Sequence, residues 1–109
     1  MILRFNVINK NIFEAIKNGK KKIETRARTM KYQNIKVGDM ITFVCGKERF
    51  EKKVQRVQIF KTINALVKKH KPQEINPQCR TLKELTAMYM SFPNYQKKIK
   101  KYGLIAFTL

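Results

Sequence analysis

The stretch GKKKIETR, residues 19–26, decides how the rest of the sequence is interpreted. It places one carboxylate, Glu24, among cations in a chain that has 25 Lys and Arg but only 7 Asp and Glu. Because successive side chains of a strand point to opposite faces, the pattern predicts a strand with Lys22, Glu24 and Arg26 on one face and Thr25 on the other. Glu24 therefore belongs either to a surface ion-pair ladder or to a binding site.

The segments before this stretch predict a strand followed by a helix. Residues 2–8, ILRFNVI, alternate and are rich in branched and aromatic side chains, as in a half-buried strand. Residues 9–19, NKNIFEAIKNG, carry apolar side chains at helical spacing and end in Gly19, which can close a helix in the left-handed conformation. The quoted stretch is thus expected to follow a helix directly.

The segments after it predict further strands and helices. We predict strands at 40–45 (after a turn at 34–39), 50–60 and 104–109, helices at 62–70, 81–90 and 92–103, and a proline-containing loop at 71–80. About five short strands interleaved with helices, without a strict strand–helix repeat, favour an α+β fold with a small mixed β-barrel over a doubly wound parallel sheet.

Length and composition indicate a single domain, residues 1–109. Of the 109 residues, 43% are hydrophobic, which suffices for one core that buries roughly two-thirds of the unfolded chain's surface. No apolar run approaches the roughly 18 to 20 residues that cross a bilayer. We expect a soluble, cytoplasmic protein without a membrane partner, and the sequence does not predict its oligomeric state.

The strongest compositional feature is the net charge of +18, with a pI near 10.3. Phosphate-rich polymers bind more tightly with each lysine or arginine that displaces a counterion, so nucleic acid is the expected partner. Most of the basic residues are lysine, and the chain is also rich in Asn and Ile. Part of the charge is therefore equally explained by codon bias in a genome poor in G and C.

The chain's metal-ligating side chains predict neither a metal site nor a cofactor. Cys45 and Cys79 lack the spacing of a zinc ligand pair and are interpreted as structural thiols. His70 is the only histidine, and a zinc site built with it would require three remote residues to converge. As a catalytic base, His70 has no serine or cysteine near it in sequence.

Three segments, 13–26, 35–43 and 92–109, resemble the ASCH domain family, whose small barrel domains are related to the PUA fold. The family signature, G-x-K-x-x-E-x-R, falls on Gly19, Lys21, Glu24 and Arg26. The resemblance implies a PUA-like barrel and a polar cleft that binds RNA or a nucleotide. The ligand-binding residues that it implies are Lys21, Lys22, Glu24, Arg26 and Arg28.

One branch of the family implies an alternative function. It resembles an amidohydrolase that acts on N4-acetylcytidine-type nucleosides with a lysine, a threonine and a later glutamate. Lys21 matches the lysine and Glu74 lies about where the glutamate would fall, but Glu24 occupies the threonine position. Thr25 is one residue away and is expected on the opposite face of the strand. A lysine acting as base would also need a depressed pKa.

Two further interpretations stay open. The tyrosines and phenylalanine of residues 89–102 are interleaved with lysines, so they could stack on bases beside a phosphate-binding surface or pack inward under a solvated lysine face. A protein-interaction adaptor is a third functional class, although no sequence feature of its own supports it.

Overall fold

The computed structural model describes residues 1–109, and it has a mixed α+β fold. The six strands are β1 (Ile2–Phe5), β2 (Ile23–Ala27), β3 (Met40–Cys45), β4 (Glu48–Lys53), β5 (Arg56–Phe60) and β6 (Leu104–Thr108). The five α-helices are α1 (Lys10–Lys17), α2 (Ile63–Val67), α3 (Pro72–Ile75), α4 (Leu82–Met90) and α5 (Tyr95–Tyr102). Short 3₁₀ turns cover Val7–Asn9 and Met30–Tyr32.

The strands form two three-stranded sheets. In the first sheet β3 is central, pairing parallel with β1 and antiparallel with β4. In the second sheet β6 is central and pairs antiparallel with β2 and β5. The sequence predicts about five strands in a small barrel, whereas strand pairing here gives six strands in two separate sheets. The PUA-like arrangement stays a prediction.

Strand β6 is buried on both faces because two apolar cores meet at it. Leu104 and Ala106 belong to a cluster that includes side chains from α2, α3, α4 and α5. Ile105 and Phe107 belong to a second cluster with side chains from β1, β3 and α1. A short continuous apolar run such as LIAF is typical of a strand with no solvated face. The second sheet, with β2 at one edge, is thereby held between helices and the other sheet.

The prediction of one strand over residues 50–60 is wrong. The chain leaves the first sheet at Lys53 and enters the second at Arg56, so the segment forms two strands. Val54 lies between them with 1% of its surface exposed, and its N–H donates to the carbonyl of Asp39 at 2.8 Å. The buried Val54 side chain thus lies where the backbone passes from one sheet to the other.

The loop predicted at residues 71–80 contains the short helix α3. Pro72 occupies its first turn, where the missing N–H costs nothing because that position has no intrahelical partner. The carboxylate of Glu74 accepts a hydrogen bond from the N–H of Lys71 at 3.0 Å and caps the helix start. Pro72 thus begins a helix, although the sequence predicts a loop over this whole segment.

Other predicted elements are confirmed, most of them with shifted ends. The predicted strand at 40–45 matches β3, and the helix predicted at 81–90 matches α4, whose Thr81 cap accepts from the N–H of Glu84 at 3.1 Å. Strand β1 ends at Phe5, well before the predicted end of the segment 2–8. No helix in the structure combines the length and apolar character needed to cross a membrane.

Candidate functional site

A cleft of about 420 Å³ opens along the free edge of β2. Its walls come from the end of β1, the first turn of α1, the segment after α3, α4 and the start of α5. The residues from β2 and its approach that line the cleft are Lys21, Glu24, Thr25 and Arg26. The helix that precedes β2 ends through Gly19, which has a positive φ of 83° and turns the chain so that this segment enters the sheet edge.

Side chains cover the backbone groups that β2 directs away from β6. The Lys21 ammonium donates to the carbonyl of Ile23, the carboxylate of Glu24 accepts from the N–H of Thr25 at 3.0 Å, and the Tyr95 hydroxyl accepts from the N–H of Ala27 at 3.3 Å. An uncovered strand edge is a template for pairing with another chain. These side chains instead leave the β2 edge facing a polar cleft.

Lys21 is a buried cation with 3% of its surface exposed. Its Nζ donates to the carbonyls of Ile23 and Ile75 and lies 3.7 Å from Oε1 of Glu24. Burial lowers the pKa of Lys21, and the nearby Glu24 carboxylate opposes that effect. Two of the three N–H donors of an ammonium are thus engaged with backbone, and the lysine ties α3 to β2.

Glu24 has 7% of its surface exposed and a carboxylate with one free oxygen. Oε1 accepts from the N–H of Thr25, whereas Oε2 is buried and accepts no hydrogen bond. The nearest cation to Oε2 is Nη2 of Arg26, at 3.5 Å. A buried carboxylate oxygen without a donor is unusual because it forfeits the hydrogen bonds that water would supply.

Arg26 connects the carboxylate to the mouth of the cleft. Its side chain is 26% exposed, and its guanidinium lies over the ring of Phe5 with Cζ 5.7 Å from the ring centroid. Burial acts to lower the pKa of Arg26, but Glu24, Tyr32 and Tyr95 raise it, so the guanidinium stays charged. Its Nε is buried and donates to no acceptor, which leaves a donor beside the free acceptor of Glu24.

Three aromatic residues form one wall of the cleft. Tyr89 and Tyr95 stack with ring centroids 6.2 Å apart, and Phe92 packs edge-on against Tyr95 at 5.1 Å. Phe92 is 41% exposed. The Tyr89 hydroxyl is hydrogen-bonded to the hydroxyl of Thr25, and burial raises the pKa of Tyr89. The wall thus places an exposed ring beside a polar floor.

The structure brings Lys21, Glu24 and Arg26 together in one cleft. Thr25 lines the same cleft although, as predicted, it lies on the opposite face of β2 from Glu24. Alternation does send neighbouring side chains of β2 to opposite faces of the sheet. The cleft, however, runs along the strand edge, so side chains from both faces reach it.

The other predicted site residues do not line this cleft. Lys22 and Glu74 line a separate hollow of about 100 Å³ with Lys20. Glu74 is exposed, and its carboxylate caps α3. Arg28 is half-buried, and its N–H donates to the carbonyl of Gly103 at 2.9 Å. Glu74 therefore lies outside the cleft that contains Lys21.

No sequence pattern predicted that several further residues line the cleft. Arg4, Phe5 and Asn6 come from β1 and the residue after it, and Asn76 and Gln78 come from the segment predicted as a loop. They reach the cleft only through tertiary packing, so no local spacing could identify them. Of these, Arg4, Phe5 and Asn6 were predicted to lie in a strand but not in a site.

The remaining titratable candidates lie apart from one another. Cys45 and Cys79 are both buried free thiols and belong to different apolar clusters. His70 Nε2 lies 2.6 Å from Oε1 of Gln58, and burial lowers the pKa of His70. No three His, Cys, Asp or Glu side chains are grouped closely enough to hold a metal ion.

The family model of the ASCH domain matches residues 7–109 of this chain. The crystal structure of hypothetical protein PH0355 is similar, with a TM-score of 0.82, 30% sequence identity, and coverage of 99% of this chain and 96% of that chain. The solution NMR structure of protein PF0455 from Pyrococcus furiosus is similar with a TM-score of 0.77 and 29% identity, covering 99% and 94% of the two chains. No curated protein matches the sequence.

Proposed function

This chain belongs to the ASCH domain family, and we propose that it binds RNA or a nucleotide through the cleft lined by Lys21, Glu24 and Arg26. We further propose that residues 1–109 form a single PUA-like domain of the cytoplasm. One observation carries the binding proposal, namely that Glu24 lines the cleft and its buried Oε2 accepts no hydrogen bond within the protein. A ligand N–H group would satisfy it.

The donor and acceptor groups of the cleft suit the edge of a nucleobase. The free oxygen of Glu24 accepts from an amino or imino group, as carboxylates do when they read the amino group of cytosine. The unpaired Nε of Arg26 lies in the same region and can donate to a carbonyl or phosphate oxygen. The cleft therefore favours a ligand that presents a donor next to an acceptor.

The size and surroundings of the cleft support the same ligand class. A volume of about 420 Å³ falls within the roughly 300 to 1,000 Å³ that small-molecule sites occupy, so one base or nucleoside fits. The exposed ring of Phe92 offers a stacking surface. The net charge of +18 attracts the phosphate groups of such a ligand.

The five predicted binding residues take different roles in this proposal. Glu24 and Arg26 contact the ligand, whereas Lys21 is a positioning residue because its Nζ already donates to two backbone carbonyls. Lys22 and Arg28 lie outside the cleft and contribute only to long-range attraction of phosphate. The function thus rests on one carboxylate and one guanidinium.

Base preference in RNA binding tests the proposal. We would measure the affinity of single-stranded homopolymeric RNA octamers for the parent, Glu24→Gln and Glu51→Gln, where Glu51 is an exposed residue of β4 that supplies a matched change in charge. We expect Glu24→Gln to change the order of preference among octamers by about tenfold, because each good base contact discriminates by roughly 1 to 3 kcal/mol. Equal preferences in all three folded proteins would contradict the proposal.

One observation favours a second candidate, an amidohydrolase acting on N4-acetylcytidine-type nucleosides. Burial lowers the pKa of Lys21, and an amine must lose its proton before it can act as a base. In this reading Lys21 activates water and hydrolysis releases acetate and cytidine, whereas Glu74, the assisting residue that the resemblance implies, lies outside the cleft. Release of cytidine by the parent but not by Lys21→Met would support the enzyme, and its absence with the parent would reject it.

A further inference from the structure

Helix α5 begins at the cleft and carries a row of exposed cations away from it. Tyr95, its first residue, lines the cleft and accepts a hydrogen bond from β2. Lys97, Lys100 and Lys101 are exposed, and their spacing of three and four residues places them on one face of the helix. We call these three residues the lysine ridge. It extends about 6 Å along the helix axis.

The lysine ridge has no neutralising partner within the protein. The structure contains three salt bridges, and none of them involves α5. The helix sequence YQKKIKKY has no acidic residue, and like charges three or four residues apart destabilise a helix. The fold therefore bears a repulsion along this face that a bound anion would relieve.

Helix stability explains only part of the ridge. Lys100 and Lys101 lie in the last turn, where cations interact favourably with the helix dipole. Lys97 is the third residue of the helix, near the positive end of that dipole, where a cation is unfavourable. The helix dipole thus gives no reason for Lys97, the ridge residue closest to the cleft.

We propose that the lysine ridge binds the phosphate backbone of a single-stranded RNA whose base occupies the cleft. The inference rests on the proposed function and narrows its ligand from a nucleotide in general to an RNA strand. Lysine ammonium groups bind phosphate as point charges without demanding a fixed geometry, which suits a flexible strand. Phe92 lines the cleft and lies three residues before α5, so its exposed ring is placed to stack on the neighbouring base.

The test compares a variant that lacks three charges on the lysine ridge with a variant that lacks three charges elsewhere. The ridge variant is Lys97→Gln, Lys100→Gln, Lys101→Gln. The matched control is Lys53→Gln, Lys68→Gln, Lys69→Gln, because these lysines are also exposed and do not line the cleft. Circular dichroism and thermal unfolding would check that both variants fold as the parent does.

The probes are a single-stranded RNA octamer and the corresponding nucleoside 5′-monophosphate. Each phosphate contact to a single strand contributes about 0.7 to the slope of log K against log salt. We expect the ridge variant to bind the octamer with a slope shallower by about 2 and to bind the monophosphate as the parent does. The slope of the control variant should differ from that of the parent by no more than about 0.7, the contribution of one phosphate contact.

Two results would overturn the inference. If the slope of log K against log salt falls by the same amount in the ridge and control variants, the lysines act through the net charge and not through their position on α5. If the ridge variant keeps the parent's slope, the backbone follows another surface. Glu24→Gln separates this failure from failure of the proposed function: a reduced slope in the ridge variant with an unchanged base preference in Glu24→Gln would support the ridge and contradict the cleft.

Discussion

Replacing Glu24 by Gln should destabilise the fold because it leaves a cation buried without its partner. Lys21 and Glu24 are 3% and 7% exposed, and the carboxylate lies 3.7 Å from Lys21 and 3.5 Å from Arg26. Removing one member of a buried ion pair costs about 3 to 5 kcal/mol. We expect about 3 kcal/mol near neutral pH, the lower end, because Lys21 keeps its bonds to two backbone carbonyls and Arg26 is partly exposed.

This penalty should shrink as the pH rises. Burial lowers the pKa of Lys21 and Glu24 opposes that shift, so the pKa of Lys21 falls further in Glu24→Gln. Between the lowered value and about 10.4, the ordinary lysine pKa, the unfolded chain binds more protons than the folded one, and the free energy of unfolding rises with pH. That interval begins at a lower pH in the variant. As the pH rises, the free energy of unfolding of Glu24→Gln therefore approaches that of the parent. This occurs at a lower pH than the loss of the Tyr89 proton, because burial raises the pKa of Tyr89.

Urea unfolding of five proteins at about pH 7 and about pH 9.5 measures both effects. The proteins are the parent, Glu24→Gln, Lys21→Met and the double variant, with Glu51→Gln as an exposed control. We expect the double variant to lose about 1 to 3 kcal/mol less than the two single losses added together, because it leaves no uncompensated ammonium. Losses that simply add, or a Glu24→Gln penalty that is the same at both pH values, would refute the reasoning.

Two further changes test the edge of β2 and its connection to β6. Tyr95→Phe removes the acceptor of the Ala27 N–H and should lower the free energy of unfolding by about 1 to 3 kcal/mol, whereas Tyr102→Phe, whose hydroxyl has no hydrogen-bond partner in the structure, should have little effect in the same urea titration. Gly103→Ala should cost more than the about 1 to 2 kcal/mol of a left-handed alanine, because its φ is 74° and a Cβ would lie 2.7 Å from the carbonyl oxygen of Phe60. Gly38→Ala, with φ 95° and open space around it, is the comparison, and equal losses of thermal stability would contradict the steric argument.

Local patterns sufficed for the elements whose burial is one-sided. Strand β3 alternates buried residues with more exposed ones, so residues 40–45 predicted a strand. Helix α4 follows the capping residue Thr81, so residues 81–90 predicted a helix. The family resemblance, carried by a short signature, predicted that Lys21, Glu24 and Arg26 line one cleft, and the structure places all three there. Each of these inferences depends on neighbours within a few positions in the chain.

The features that the local patterns did not predict all depend on residues that are distant in sequence. Val54 breaks the predicted strand at 50–60 because it packs into a core completed by β1, β3 and α1. Thr25 reaches the cleft because β2 lies at a sheet edge, and the identity of that edge is decided by β6, about eighty residues later in the chain. Periodicity gives the two faces of a strand but does not say which of its edges is open.

The proposed ligand accounts for the single acid in a basic stretch better than stability alone does. A buried ion pair is weak evidence for stability, because well-packed apolar side chains often serve as well or better. If Glu24 existed only to hold Lys21 and Arg26, both its oxygens could be satisfied within the protein. Instead Oε1 accepts from the N–H of Thr25, and Oε2 is buried without a hydrogen-bond donor. Glutamine at this position offers a donor as well as an acceptor, so it should redirect base preference as well as weaken the ion pair. A change in stability without a change in preference would show that Glu24 is structural.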